Sequence, residues 1–206
     1  MEIIPAKPIR DLRLLGGHPV LDFVNTVDSR RDRWGPDALQ TCGDLLEWMS
    51  RLELVSAGCS IRLAKLARAH PEEGREALDE AKALREAIYR VALCEISMSD
   101  ADAADLKLIE DGAKRWAAAQ KLTLSPSGAI VWSQEISHLS AITARLASSA
   151  VELFIAREHR RPIGECPGRD CGWLFIDHSK SGRRRWCSDE TCGTSARVRK
   201  YRAKHS

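Results

Sequence analysis

Two matched pairs of cysteines near the C-terminal end constrain the fold of this chain more than any other feature. Four residues separate Cys166 from Cys171, four separate Cys187 from Cys192, and fifteen lie between the pairs. A structural zinc ion takes four soft ligands in a tetrahedron, and two short loops that each present two thiolates supply them. The alternatives are a pair of disulfides or four unrelated buried thiols. The spacing favours one structural zinc ion held by all four side chains.

The residues around these cysteines predict a small zinc-binding fold. The spacer, residues 173–186, predicts two short strands around a turn at residues 179–182. Ser188 and Asp189 are favourable N-cap residues for a helix that continues through residues 197–205. A knuckle, a hairpin and a helix that carries the second ligand pair together form a treble-clef-like zinc finger. Four bound thiolates leave no coordination position for water, so the predicted site is structural.

The size and composition are those of an ordinary globular chain. Of its 206 residues, 44% are hydrophobic and 30% are charged, which suits one medium domain with an appendage or two small domains. No stretch resembles a transmembrane span, and the first residues lack the order of a secretion signal. We therefore expect no membrane association and a cytoplasmic location, where paired cysteines bind metal more often than they form disulfides. The other three cysteines are predicted to be small buried side chains: Cys42, Cys59 and Cys94.

The charge of the chain is unevenly distributed. The formal net charge is +3, but residues 157–206 hold thirteen Lys or Arg and six Asp or Glu, which leaves −4 on the rest. A basic C-terminal piece indicates an anionic partner, with nucleic acid the leading candidate. A solvated strand edge and complementarity to the helix dipole are alternatives that account for only part of this charge. The predicted DNA contacts are Arg183, Arg184, Arg185, Arg197, Arg199, Lys200, Arg202 and Lys204.

Apolar side chains near the finger suggest how its parts pack. Val198 and Tyr201 lie three residues apart on the predicted basic helix and are expected to dock it on the finger. Trp173 and Trp186 flank the ligand loops and are expected to pack over the sulfur atoms. His178 lies between the two cysteine pairs, but four thiolates already suffice, so we expect it on the surface of the hairpin.

Apolar residues recur at steps of three and four through most of the first 160 residues, which predicts a helical domain. Four helices are expected at residues 18–27, 60–69, 71–96 and 136–158. Two more are predicted from their first residues: one begins at a capping box formed by Thr41 and Asp44, and one begins at Ser99 or Asp100. Residues 28–37 form a loop, and residues 122–133 predict a β-hairpin. The fold class is therefore mainly α, with a helical domain at 1–160, a zinc finger at 161–206 and a hinge at 161–164.

The first helix carries three polar side chains, His18, Asp22 and Asn25, at steps of four and three. They can line a pocket for a small ligand or hydrogen-bond to adjacent loops, and the second interpretation is favoured because buried Asp and Asn commonly secure the chain. No Ser–His–Asp order, phosphate-cradling glycine loop or HExxH helix is present in the sequence. We predict no catalytic residues and no enzymatic activity.

Two segments resemble the CGNR zinc-finger proteins, a bacterial family predicted to contain stress-induced transcription regulators. Residues 17–27, GHPVLDFVNTV, are close to the opening LDFVNT motif of the family's N-terminal helical domain, the ABATE domain. The finger matches at Cys166-x4-Cys171, at Trp-Cys-Ser in residues 186–188, and at Cys-Gly in residues 192–193 before a basic helix. The resemblance spans nearly the full length, with both motifs in the expected order. It implies a DNA-binding regulator.

The chain departs from the family pattern at one place. After Cys-Gly it has Thr194-Ser195, where the family's name motif has Asn-Arg. The four ligands are untouched, so the resemblance still implies a zinc site. The missing arginine belongs near the start of the basic helix, so a phosphate contact there does not carry over to this chain.

Three functional hypotheses follow from these patterns. The first is a cytoplasmic transcription regulator that binds DNA through its finger, with a helical body that senses a small-molecule effector or forms a homodimer. A dimer is expected because one small finger gives a modest footprint on DNA. The second is an adaptor whose zinc finger binds an acidic protein and no nucleic acid. The third and least favoured is an enzyme whose site lies in the helical body.

Overall fold

The computed structural model describes residues 6–31, 35–134 and 136–205, so residues 32–34 of the predicted loop lie outside the described part. The described chain is mainly helical, as predicted, with seven α-helices and two antiparallel two-stranded sheets. The helices are α1 (Pro19–Val24), α2 (Cys42–Arg51), α3 (Ala57–Ala69), α4 (Pro71–Ser97), α5 (Ala103–Ala118), α6 (Ser140–Ile155) and α7 (Thr194–Lys204). The strands are β1 (Lys121–Leu124), β2 (Ile130–Ser133), β3 (Ile163–Glu165) and β4 (Leu174–Ile176).

Side-chain caps fix where the helices of the body begin. The predicted capping box is present before α2, where the Thr41 hydroxyl accepts from the Asp44 backbone at 3.1 Å and the Asp44 carboxylate accepts from the Thr41 backbone at 2.7 Å. Ser56 caps α3, which begins at Ala57, three residues before the predicted start at residue 60. Asp102, rather than Ser99 or Asp100, caps α5. Propensity alone does not choose among neighbouring Ser and Asp residues, because each is a good N-cap.

The predicted end of the first helix and the predicted start of α6 are also wrong. The first helix stops at Val24 rather than Val27, and α6 begins at Ser140 rather than Ile136. In the first case, Asn25 turns its side chain to another segment and the chain leaves the helix. In the second, Ile136 is buried although it precedes the helix, so its apolar character does not reveal the boundary.

The core of the body lies between the three long helices. Helix α5 packs along α6, and both pack against α4. At Gly112 the helices α5 and α6 come so close that an added Cβ atom would lie 2.5 Å from the Cβ of Ala147. Cys42 and Cys59 are buried in the same core, as predicted, whereas Cys94 is half-buried.

The strands of the finger belong to this core as well. Ile163 of β3 and Leu174 and Ile176 of β4 are buried in one cluster with the apolar side chains of the helical body. Strand β3 contacts α4, and β4 contacts α1. The finger is therefore built onto the body through a shared apolar core.

This arrangement corrects the predicted hairpin and part of the predicted hinge. Strand β4 pairs with β3, which precedes the first cysteine, in the register Ile163 with Ile176 and Glu165 with Leu174. Residues 183–186 form no strand. Residue Ile163 offers an apolar side chain to the core, whereas residues 183–185 are three consecutive arginines, whose desolvation would be costly. The predicted hinge at residues 161–164 thus runs directly into a strand.

The hairpin of β1 and β2 forms as predicted. Its strands pair Leu122 with Trp132 and Leu124 with Ile130, and Gly128 in the turn has a positive φ of 80°. All eight residues of its two strands are exposed. None of the described helices is long and apolar enough to cross a membrane.

Candidate metal centre and nucleic-acid interface

The four predicted ligands come together in the structure. One ligand atom from each of Cys166, Cys171, Cys187 and Cys192 lies within 4.8 Å of all the others. The sulfur of Cys187 lies 3.5 Å from that of Cys171 and 3.6 Å from that of Cys192. A tetrahedron with zinc–sulfur bonds of about 2.3 Å has edges of about 3.8 Å, whereas a disulfide bond is about 2.05 Å long. The spacing fits four ligands around a metal ion and excludes disulfides.

Local backbone structure presents the first pair of cysteines. Cys166 directly follows β3, and its backbone N–H donates to the carbonyl of Trp173 at 2.8 Å. The Cys171 N–H donates to the Gly168 carbonyl at 3.2 Å and closes the knuckle. An added Cβ at Gly168 would lie 3.0 Å from the sulfur of Cys192. The knuckle therefore has no room for a side chain at residue 168.

The second pair of cysteines lies at the start of the last helix, as predicted. The chain forms a π-helical turn, Asp189–Gly193, before it continues as α7. Ser188 precedes the turn but makes no side-chain cap, and Asp189 binds Arg197 instead. The turn places Cys192 opposite Cys187, so the ligand pair determines where α7 begins.

The chemistry of the four thiols suits a soft divalent cation. Hydrogen bonds from Cys171 and Cys187 lower the pKa of the Cys166 thiol, whereas the contact with Cys166 raises the pKa of Cys171 and of Cys187. Four thiolates at this spacing repel one another unless a cation lies between them. Thiolate ligands in a tetrahedron are the donor set of structural zinc sites.

Apolar side chains shield the cysteine cluster, as predicted. Trp173 and Phe175 are buried together with Cys166 and Cys187 in a small cluster separate from the core of the body. Trp186 is partly buried and packs against this small cluster. Of these, Trp173 also donates its indole N–H to the carbonyl of Val27 at 2.7 Å. His178 is exposed, as predicted, and its Nε2 lies 2.8 Å from the Gly17 carbonyl.

A loop of the helical body holds the knuckle in place. The backbone N–H of Arg30 lies 3.1 Å from the carbonyl of Asp170 and 2.9 Å from that of Cys171, and it donates to both. The Arg31 guanidinium binds Glu165 of β3 with an N–O distance of 2.6 Å. Sequence reasoning assigned these two arginines only to a loop. These arginines lie shortly after α1 in the sequence. That position does not reveal that Arg30 contacts Asp170, which lies 140 residues later.

A buried network of charges supports that loop from α4. Arg85, which is only 2% exposed, binds Asp37 at 2.8 Å and also donates to the hydroxyl of Thr26. Arg30 donates to Glu86 at 2.7 Å. Because buried charges are stable only when they are paired, these contacts hold the described parts of the loop, at Arg30 and Asp37, against α4.

The predicted polar trio contacts neighbouring parts of the chain. Asn25 donates to the Leu174 carbonyl at 2.8 Å and accepts from the Leu174 N–H at 2.9 Å, so it secures β4 by both of its amide atoms. Asp22 accepts from the Gly16 N–H at 2.7 Å, and the His18 ring accepts from the Val20 N–H at 3.2 Å. These bonds correspond to the second interpretation of the trio, in which the side chains secure adjacent segments.

The stability of the protein is expected to fall between about pH 4 and pH 6 through Asp22. Burial raises the pKa of this carboxyl from 3.8 to about 6, although the Gly16 N–H opposes the change. The folded state therefore binds a proton more tightly than the unfolded state, so its contribution is complete below pH 4 and is lost as the pH rises through 6. Replacing Asp22 by Asn should reduce the stability difference between pH 4 and pH 7 by up to about 3 kcal/mol.

Urea unfolding at a series of pH values measures this difference. Asp11→Asn, which makes the same substitution at an exposed carboxyl, is the matched control and should leave the difference between pH 4 and pH 7 as it is in the wild type. A parallel profile for Asp22→Asn and the wild type would contradict the prediction.

The structure separates the predicted DNA contacts into two groups. Arg184 is half-buried, donates to the carbonyls of Leu15 and Cys187 at 2.7 and 2.5 Å, and lies 4.4 Å above the ring of Phe175. Arg197 forms an ion pair with Asp189 at 2.8 Å. Both are committed to contacts within the protein. The others are exposed on its surface: Arg183, Arg185, Arg199, Lys200, Arg202 and Lys204.

The predicted docking of the basic helix is wrong. Val198 and Tyr201 are 42% and 65% exposed, and α7 contains no buried residue. Among the described helices and strands, α7 contacts only the π-helical turn. The pair of apolar residues is too small to hold the helix on the finger once Asp189 and the cysteines have fixed its direction. Helix α7 therefore projects with its cations and these two side chains exposed.

Comparison with known families agrees with this architecture. Residues 17–157 match the ABATE family, described as "Putative stress-induced transcription regulator", and residues 163–205 match the CGNR zinc finger. The chain belongs to the ABATE family. Its membership confirms the resemblance and the domain order and suggests a regulator of transcription. No curated protein matches the chain.

The opening motif of the ABATE domain has a definite structural role in this member of the family. Asn25 of that motif binds Leu174 of the finger, and the carbonyl of Val27 accepts from Trp173. Just before the motif, the Gly16 carbonyl accepts from the Ile176 N–H at 2.8 Å. The segment around residues 16–27 is thus the seat of the CGNR finger. Thr194, where the chain departs from the family pattern, donates its hydroxyl to the Asp189 carbonyl. This hydrogen bond joins the first residue of α7 to the start of the π-helical turn.

Proposed function

We propose that this protein regulates transcription by binding duplex DNA through its CGNR finger, with one structural zinc ion held by Cys166, Cys171, Cys187 and Cys192. The observation that carries this proposal is the projecting, uncovered helix α7. Four cations of the finger, Arg183, Arg199, Lys200 and Lys204, are exposed, and within the described residues none of them forms a salt bridge. Exposed cations without acidic partners are the usual means of contacting phosphates.

The shape of the finger supports the same proposal. Helix α7 has 11 residues and is about 16 Å long, and the major groove of B-DNA admits a helix of this kind. In the proposed complex the metal ion fixes the two ligand loops, and through them the direction of α7. The ion takes no part in any reaction, because four thiolates leave no position for a substrate. We propose that the protein acts in the cytoplasm and has no enzymatic activity.

The affinity for duplex DNA is expected to fall steeply as the salt concentration rises. Replacing Arg199, Lys200 and Lys204 by Glu should weaken binding to all sequences together and reduce the slope of log K against log salt by about one for each lost phosphate contact. Fluorescence anisotropy with duplexes of unrelated sequence, at several salt concentrations, measures both quantities.

A matched variant tests whether position matters as well as charge. Arg62→Glu with Lys65→Glu and Arg68→Glu likewise reverses three charges, on exposed residues of α3, which contacts α2 and α4 rather than the finger. This control should keep the wild-type slope. Equal losses in the two variants would reduce the effect to net charge, and unchanged binding by the α7 variant would remove the finger from DNA recognition.

A second candidate function is supported by the two apolar residues of α7. Val198 and Tyr201 lie exposed among cations, and such a surface also fits an acidic peptide with apolar side chains. Under this alternative the finger is an adaptor for a protein partner. Capture of an acidic partner that survives nuclease treatment and is lost in Val198→Ser with Tyr201→Ser would favour the adaptor over the DNA-binding regulator.

For the regulator, we propose that a small-molecule effector binds beside the finger and that the body forms a homodimer. A cleft of about 630 Å³ lies between the segment before α1 and the cysteine loops. Leu12, Leu15 and Trp173 give it apolar walls, and Arg169 and Arg199 place cations at its margin. Because Asp11, Asp28 and Asp170 also line the cleft, we propose a partly apolar molecule that carries polar groups of both kinds. Of the polar trio, Asp22 and Asn25 are already bonded within the protein, so the cleft is the better candidate.

A further inference from the structure

The hairpin of β1 and β2 has one face that is entirely apolar and entirely exposed. Leu122 and Leu124 alternate along β1, Ile130 and Trp132 alternate along β2, and the register pairs Leu122 with Trp132 and Leu124 with Ile130. Because side chains alternate between the faces of a strand, these four share one face. They are 62%, 73%, 73% and 64% exposed, respectively.

The hairpin stands clear of the rest of the protein. Among the described helices and strands, β1 and β2 contact only each other. An isolated two-stranded hairpin is marginally stable in water and normally needs a surface against which its apolar face can pack. In this chain that surface is not supplied by the described body.

We propose that the apolar hairpin face, defined as Leu122, Leu124, Ile130 and Trp132, is the interface of a homodimer, in which two copies pack face to face about a two-fold axis. This inference rests on one part of the proposed function, the homodimer, and identifies its interface. It does not require that the protein bind DNA. Two hairpins packed in this way form a small sandwich whose apolar side chains are covered on both sides.

The area of the face favours a stable partner. The four side chains together expose apolar area on the order of 500 Å², which equals the largest apolar patches on typical monomers. A standard interface buries about 800 Å² on each partner, so this face supplies more than half of what a dimer needs. The rest can come from the hairpin's flanks and the adjoining surface.

The composition of the face favours a second copy of this chain as the occupant. The face carries no charge, so neither an acidic nor a basic partner gains electrostatic attraction there, and the one charged side chain of the strands, Lys121, lies on the opposite face. A two-fold axis brings an apolar patch onto an identical patch, which makes the surface complementary to itself. The hairpin does not contact α7, so the proposed interface uses none of the cations that are proposed to bind DNA.

Sedimentation velocity of the full chain over a wide concentration range tests the proposal. The wild type is expected to be a dimer, and Leu124→Glu with Trp132→Glu is expected to be a monomer, because two buried carboxylates would face two others across the axis. The matched control is Thr123→Glu with Ser133→Glu, which adds the same charge to the opposite face of the same strands. It should remain a dimer.

Each other outcome would overturn this interface. A monomeric wild type at every concentration rejects the homodimer, and a double variant on the apolar face that stays dimeric places the interface elsewhere. Equal dissociation of the control would show that charge on the hairpin, rather than its apolar face, is decisive. Circular dichroism of each variant checks that the helical body is folded. DNA binding, measured separately, distinguishes failure of this inference from failure of the proposed regulator.

Discussion

Replacing Cys187 by Ala is expected to release the metal ion and to abolish the order of the π-helical turn and α7. Structural zinc contributes about 10–16 kcal/mol to the folding of isolated finger peptides, and α7 has no buried residue that could hold it without the ligands. Strands β3 and β4 should stay folded, because Ile163, Leu174 and Ile176 belong to the core of the body. Loss of the metal should therefore disorder the π-helical turn and α7 and leave strands β3 and β4 folded.

Elemental analysis and hydrogen exchange of the full chain measure this result. The wild type should hold one zinc ion per chain, and the variant should hold almost none and exchange rapidly from residue 187 to the end of α7. Cys94→Ala, which truncates a half-buried cysteine outside the cluster, is the control and should keep both metal and protection. A metal-free variant with a protected α7 would contradict the prediction, as would one in which the helical body also unfolds.

Replacing Asp37 by Ala is expected to destabilise the protein by about 3 kcal/mol, because the buried Arg85 guanidinium loses its two hydrogen bonds to Asp37 and keeps only Glu86 as an acidic partner. Burial by itself raises the pKa of Asp37, but the hydrogen bonds and charge of Arg85 outweigh it and hold this pKa below its ordinary value. A carboxyl with a lowered pKa stabilises the fold above its unfolded pKa, and this contribution is lost as the pH falls through the folded pKa.

Asp79 serves as the control for Asp37, because it lies on α4, the helix that also carries Arg85. Asp79→Ala breaks an exposed ion pair with Arg75, and exposed pairs contribute little to stability, so its effect should be far smaller. Denaturant unfolding at neutral pH compares the two variants. Similar small losses for both would show that the buried network does not hold the loop, and the support that this loop gives to the knuckle would then need another source.

Local patterns in the sequence predict most of the body and the ligand set. Helix periodicity, the capping box at Thr41 and Asp44, and the proline at the start of α4 are signals carried by neighbouring residues. The hairpin of β1 and β2 is equally local, since its strands are joined by a short turn. The cysteine spacing is specific because tetrahedral coordination restricts which loops can supply four sulfur atoms.

Contacts between distant segments are what the sequence does not reveal. Asn25 and Leu174 are 149 residues apart, so the amide that secures β4 has no local signal beyond its place on a short helix. Arg184 is indistinguishable from Arg183 and Arg185 in the sequence, yet it alone among them turns inward to the carbonyls of Leu15 and Cys187. The docking of α7 was mispredicted for a related reason, because a pair of apolar residues at helical spacing does not specify whether another surface faces it.

The common core of finger and body limits how such chains can be rearranged by recombination. A crossover placed at the apparent domain boundary near residue 160 would separate Ile163, Leu174 and Ile176 from the helices against which they pack. The helical body would then expose to water the apolar surface that these residues cover. The transplanted finger would carry three exposed apolar side chains. Gene fusions that exchange fingers among relatives should therefore succeed when the seat at residues 16–27 travels with the finger and fail when it is left behind.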